Sequence, residues 1–141
     1  MRKFVPQELA DEMVKFFHTM DEAEKRIIEL KRNTAGIEQQ RFILRTGIFH
    51  YCSSRDSDPL AYEDVQKALV VFCGKYLSGS VIENIDLGKT PGVVENFIWN
   101  FCAENGYNIC GAEPKCHGCP LGAVCLSARA RDAFILESLS S

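Results

Sequence analysis

Four of the seven cysteines, Cys110, Cys116, Cys119 and Cys125, follow one another in the spacing C-x5-C-x2-C-x5-C. Four thiolates gathered in so short a stretch make a soft, anionic ligand set, suited to a tetrahedral zinc ion or to an iron–sulfur cluster. Structural zinc sites draw their ligands from two tight Cys-x2-Cys-type knuckles, each placing two sulfurs on one ion. Only Cys116 and Cys119 form such a knuckle here. The outer cysteines reach inward along longer arms, which lets the loop wrap a larger object. A [4Fe-4S] cluster is therefore the expected occupant, with zinc as the alternative, in which His117 could replace a thiolate. An odd cysteine count fits a closed disulfide framework poorly, and a reducing compartment would keep these thiols available.

The residues around the four sulfurs suit the same chemistry. Pro120 can open a short helix, where its missing N–H costs nothing, and the free N–H groups behind it would then point at an anionic cluster. Gly111, Gly118 and Gly122 relieve crowding in a loop that must turn this tightly. The other three cysteines, Cys52, Cys73 and Cys102, fall on apolar helical stripes and are expected to be small core residues.

Residues 100–110, Asn-Phe-Cys-Ala-Glu-Asn-Gly-Tyr-Asn-Ile-Cys, followed by Lys115, Cys116, His117, Gly118, Cys119, Pro120, Leu121 and Cys125, resemble the iron–sulfur cluster loop of endonuclease III-like DNA glycosylases. That family has a helix ending at the first cysteine and the pattern C-x6-C-x2-C-x5-C; this chain has one residue fewer in the first gap. The resemblance covers the C-terminal third and implies a [4Fe-4S] cluster on Cys110, Cys116, Cys119 and Cys125. It also implies a loop that docks on double-stranded DNA, with Lys115 at the matching position and Arg129 and Arg131 as helping cations. So few cations give a weak, salt-sensitive attraction.

Catalysis in that family needs a hairpin of the form L-P-G-V-G-x-K, whose lysine is the amine nucleophile, and a later aspartate. The nearest match is Thr90, Pro91, Gly92, Val93, Val94, Glu95, Asn96. It lacks the second glycine, carries Asn96 in the lysine's place, and stands too close to Cys110. No residue is assigned a catalytic role.

The elements that must hold this loop can be read from apolar periodicity. Leu9, Met13, Phe16, Phe17 and Met20 form one amphipathic stripe, with Pro6 at its start, and residues 21–30 form a second, charged helix. Residues 37–51 are apolar around most of a helical circumference and predict a single central helix. Residues 53–59, rich in Ser, Asp and Pro, predict a loop. Val65, Ala68, Leu69, Phe72, Cys73 and Tyr76 mark a further helix, ended by Ser78-Gly79-Ser80, and Val94, Phe97, Ile98, Phe101 and Cys102 mark another, opened by Pro91. Residues 129–139 predict a last short helix. No stretch alternates with period two, so no strand is expected. The fold class is all-α: a compact domain of about five to seven helices, a helical body over 1–105 and a cluster lobe over 106–141.

Length and composition set limits on function. The 141 residues, 46% hydrophobic and 25% charged, suit one globular domain. Sixteen Lys and Arg against nineteen Asp and Glu give a net charge of -3, which excludes a strongly basic nucleic-acid tail. No apolar run reaches the roughly 20 residues that span a bilayer. A cytoplasmic location and no membrane partner are expected. Arg41 and Arg45 on one helical face, Asp56 and Asp58 in the loop, and the lone His18 and His50 read as ordinary polar surface. The functional expectation is a non-catalytic iron–sulfur module that associates with DNA or a DNA-repair protein. A redox or sensing iron–sulfur protein and a structural zinc protein are the alternatives.

Overall fold

A computed structural model describes residues 4–20 and 37–127. Five helices and one two-stranded hairpin are formed among them: α1 (Pro6–Thr19), α2 (Ile37–Thr46), α3 (Ile48–Cys52), α4 (Tyr62–Tyr76), β1 (Val81–Ile82), β2 (Ile85–Asp86) and α5 (Pro91–Cys102). The fold is all-α. No helix among the described residues is long and apolar enough to cross a membrane. The helices expected over 21–30 and 129–139 lie outside the described residues.

Each helix is where its apolar stripe requires it. In α1, Leu9, Met13 and Phe17 are buried, and Pro6 occupies the first turn, where a missing N–H is harmless. In α4, Val65, Ala68, Leu69, Phe72 and Cys73 are buried and Glu63 and Asp64 complement the N-terminal dipole. α2 packs against α3, α4 and α5, so the central helix expected from its apolar circumference is central. Phe42 and Ile43 of α2 meet Phe72 of α4 and Phe101 of α5 in one continuous core. Phe42 and Phe101 are edge-to-face at 5.6 Å, and Phe17 stacks on Phe97 at 4.7 Å.

Two local features depart from the sequence reading. The single helix expected over 37–51 is broken into α2 and α3 at Gly47, which has φ +105°. A Cβ at Gly47 would lie 2.9 Å from Phe4 Cζ and 3.0 Å from Leu126 Cβ, so the site demands glycine for its backbone and for its space. The connector between α4 and α5 holds the β1–β2 hairpin, pairing Val81 with Asp86 and Ile82 with Ile85. Its turn residues Glu83 and Asn84 have φ +50° and +69°, the left-handed pair of a primed turn that matches strand twist.

The end of α5 folds back on itself and delivers the cysteine loop. Tyr107 N–H donates to Asn100 O at 2.7 Å, Asn108 N–H to Ala103 O at 3.1 Å and Ile109 N–H to Phe101 O at 2.9 Å. The reversal closes on Gly106, where any Cβ would collide with the Asn100 carbonyl. Tyr107 then packs edge-on against Phe16 at 5.2 Å, which ties the reversal to α1.

Candidate metal centre

The reversal sets Cys110 beside the last turn of α5. The arm that follows is closed by Lys115 N–H donating to Ile109 O at 2.8 Å, so Cys116 returns to the neighbourhood of Cys110. Gly118, at φ +81°, turns the knuckle between Cys116 and Cys119, and Cys119 N–H donates to Cys116 O at 3.3 Å. The helix expected to open at Pro120 is replaced by consecutive turns: Gly122 N–H donates to Cys119 O and Cys125 N–H to Leu121 O. These turns are anchored by Leu121 and Val124, both buried in the core. A Cβ at Gly122 would press on the Cys119 and Cys116 carbonyls at 3.2 and 3.3 Å.

All four expected ligands are half-buried, and none of the seven cysteines is in a disulfide. Cys119 interacts electrostatically with Cys125, Cys110 and Cys116. Burial, helped by those three neighbours, pushes the Cys119 thiol up to about 11, and the Leu121 N–H, donating to its sulfur at 3.4 Å, partly offsets the rise. The N–H expected to aim at a sulfur from behind Pro120 therefore does so without a regular helix. Among the described residues, no three Cys, His, Asp or Glu side chains form a ligand group for a single metal ion.

Arg45 is the residue at this candidate site that sequence reasoning passed over. From α2 its guanidinium Nη1 donates to Gly111 O at 2.6 Å and to Cys110 O at 3.4 Å, and lies 3.5 Å from Cys110 Sγ. Its own carbonyl accepts from the Cys125 thiol at 3.5 Å. One residue of the central helix thus touches the first and last cysteines of the loop. A cation at this sulfur favours the thiolate that any metal or cluster requires. The signal was its place one turn after Arg41, on the helix that carries Phe42 and Ile43 into the core.

Cys102 is fully buried, as expected of a core cysteine, yet its thiol is hydrogen-bonded to the Cys110 side chain. Burial first, and then Cys110, push its thiol far upward. Beside the pair opens a cleft of about 490 Å³, lined among others by Cys102, Glu38, Arg41, Glu113 and Lys115. Lys115 is exposed on its rim, whereas Arg129 and Arg131 lie outside the described residues.

The remaining candidates resolve into structural roles. Asn96 and Glu95, in the segment compared with a catalytic hairpin, are buried within α5, so no nucleophile is presented there. Asp58 accepts the Leu60 N–H at 2.9 Å and Asp64 accepts the Asp58 N–H at 2.9 Å; both carboxylates shape the loop. His50 packs edge-on against Tyr51 at 4.9 Å. Burial raises the Glu95 carboxyl above its ordinary range, while a hydrogen bond with Gln66 lowers it in part. Glu95 in turn helps burial to push Tyr62 and Cys73 up to about 12.

Comparison with protein-family models, with curated proteins and with solved structures gives no match.

Proposed function

We propose that the chain is a [4Fe-4S] protein whose cluster is held by Cys110, Cys116, Cys119 and Cys125. The observation that carries this reading is Arg45, whose guanidinium meets the Cys110 sulfur while its carbonyl meets the Cys125 thiol. A cluster bound by four thiolates is anionic in its usual oxidised state, and this arrangement sets a fixed cation beside it. The Leu121 N–H on Cys119 adds a donor of the kind that tunes cluster potential. Ligation would deprotonate Cys125 and release its hydrogen bond to Arg45 O, so cluster binding expels protons. A zinc ion, on which the same sulfurs would close at one point, is the alternative.

The cluster has a docking role in this reading, with duplex DNA or a DNA-repair protein as the partner. Within the described loop Lys115 is accompanied by exposed Glu104 and Glu113, so any duplex affinity leans on Arg129 and Arg131 as well. The contacts to sulfur also favour a second reading, a redox or sensing role, because they are the levers that set a cluster's potential.

The test is iron and sulfide analysis of protein purified without oxygen. About four of each per chain is expected from the cluster's composition. Colourless protein, or one zinc per chain, overturns the proposal. Retardation of duplex DNA at low salt, with a salt slope reduced by about one in Lys115→Ala, supports the DNA partner. No retardation at low salt removes DNA and leaves protein docking.

A further inference from the structure

The loop brings a fifth cysteine to the metal centre. Cys102 closes α5, and the reversal held by Ile109 N–H donating to Phe101 O brings Cys110 back beside the last turn of that helix. Gly111 lies against the same turn, since a Cβ there would lie 3.2 Å from the Cys102 carbonyl. The two thiols share a hydrogen bond, and the cleft beside them opens onto Cys102. Cys102 is fully buried, whereas Cys110 is half-buried and is approached first from solvent.

We propose that Cys102 and Cys110 form a disulfide under peroxide, making Cys102 the resolving thiol for a ligand cysteine. Hydrogen peroxide is the oxidant. The Cys110 sulfur attacks one peroxide oxygen; an S–O bond forms, the O–O bond breaks, and hydroxide leaves as water after taking a proton. The Cys102 sulfur then attacks the Cys110 sulfur; the S–S bond forms, the S–O bond breaks, and the oxygen leaves as a second water with the Cys102 proton. Two thiols are oxidised by two electrons and one peroxide is reduced to two waters. The pairing follows from proximity and needs no cluster. A bound cluster would occupy Cys110, so the link forms as the cluster is lost, a corollary that rests on the iron–sulfur reading.

The sequence makes the test direct. Lys89 and Lys115 bracket a tryptic peptide, 90–115, that contains Cys102 and Cys110 and no other cysteine. The full chain is treated with graded hydrogen peroxide, its free thiols are alkylated under denaturing conditions, and peptides are mapped by mass. The expected product is this peptide lighter by two hydrogen atoms and refractory to alkylation. It should exceed any other linked pair by roughly tenfold or more, because adjacency governs the choice of partner. In Cys102→Ser the link is lost and Cys110 is instead trapped by dimedone as the sulfenic acid. Full alkylation of Cys102 after peroxide, or Cys110 linked to Cys116, Cys119 or Cys125, overturns the proposal. The wild-type map decides the matter even if the variant fails to fold. Iron and sulfide measured on the same sample separate the two readings: an iron-free chain that forms the link loses only the cluster, and a four-iron chain that never forms it loses only this pair.

Discussion

Replacing Arg45 by alanine removes a charged donor from Gly111 O at 2.6 Å and from the Cys110 sulfur at 3.5 Å. A hydrogen bond from a charged group contributes about 1.5–3 kcal/mol, and the part-buried carbonyl would lose that donor at further cost. Loss of about 2–3 kcal/mol is therefore expected, roughly a thirty- to 150-fold change in the folding equilibrium. The assay is chemical denaturation of Arg45→Ala beside wild type, paired with the rate at which a chelator strips iron from each. Arg45→Lys keeps the charge without the planar fork and should recover part of the loss. Arg41→Ala, one turn earlier on α2, should stay within about 0.5 kcal/mol of wild type, the usual range for a polar surface change. An unchanged denaturation midpoint together with unchanged iron retention in Arg45→Ala would refute the claim that this side chain holds the loop.

Two further outcomes test the body beneath the loop. Gly47→Ala should cost about 2–4 kcal/mol, combining a left-handed backbone with overpacking against Phe4 and Leu126, and thermal unfolding would read it as a lowered midpoint. Glu95, raised by burial, binds its proton more tightly folded than unfolded, so its stabilising contribution is complete below about pH 4, near the unfolded value, and is lost as pH rises through the folded value. Glu95→Gln should therefore flatten the fall in stability above that point; a melting profile with the wild-type slope would show that Glu95 does not produce it.

The helices were legible because burial imposes a period on sequence, and α1, α4 and α5 bury the residues their stripes single out, apart from the half-buried Phe16 and Tyr76. The break at Gly47 was not, because the apolar pattern runs on through α2 and α3 and one glycine within a helical pattern costs only about 1 kcal/mol. What requires the break is contact with Phe4 and Leu126, residues remote in the chain. The hairpin escaped notice because its strands are too short for alternation and its turn is Glu83-Asn84 rather than a glycine pair. At the candidate metal centre the cysteine spacing singled out four candidate ligands but not their surroundings. Arg45 and Cys102 reach the loop only because Gly106 permits the reversal after α5, a tertiary fact carried by no local motif.

During synthesis the chain emerges from its amino end, so Phe4, Arg45 and Gly47 leave the ribosome before any of the four sulfurs does. The cysteine segment arrives afterwards, and with it Leu126, which meets the joint at Gly47. On the proposed iron–sulfur reading, iron would therefore be loaded late, and a shortage of it would leave the cysteine loop undressed.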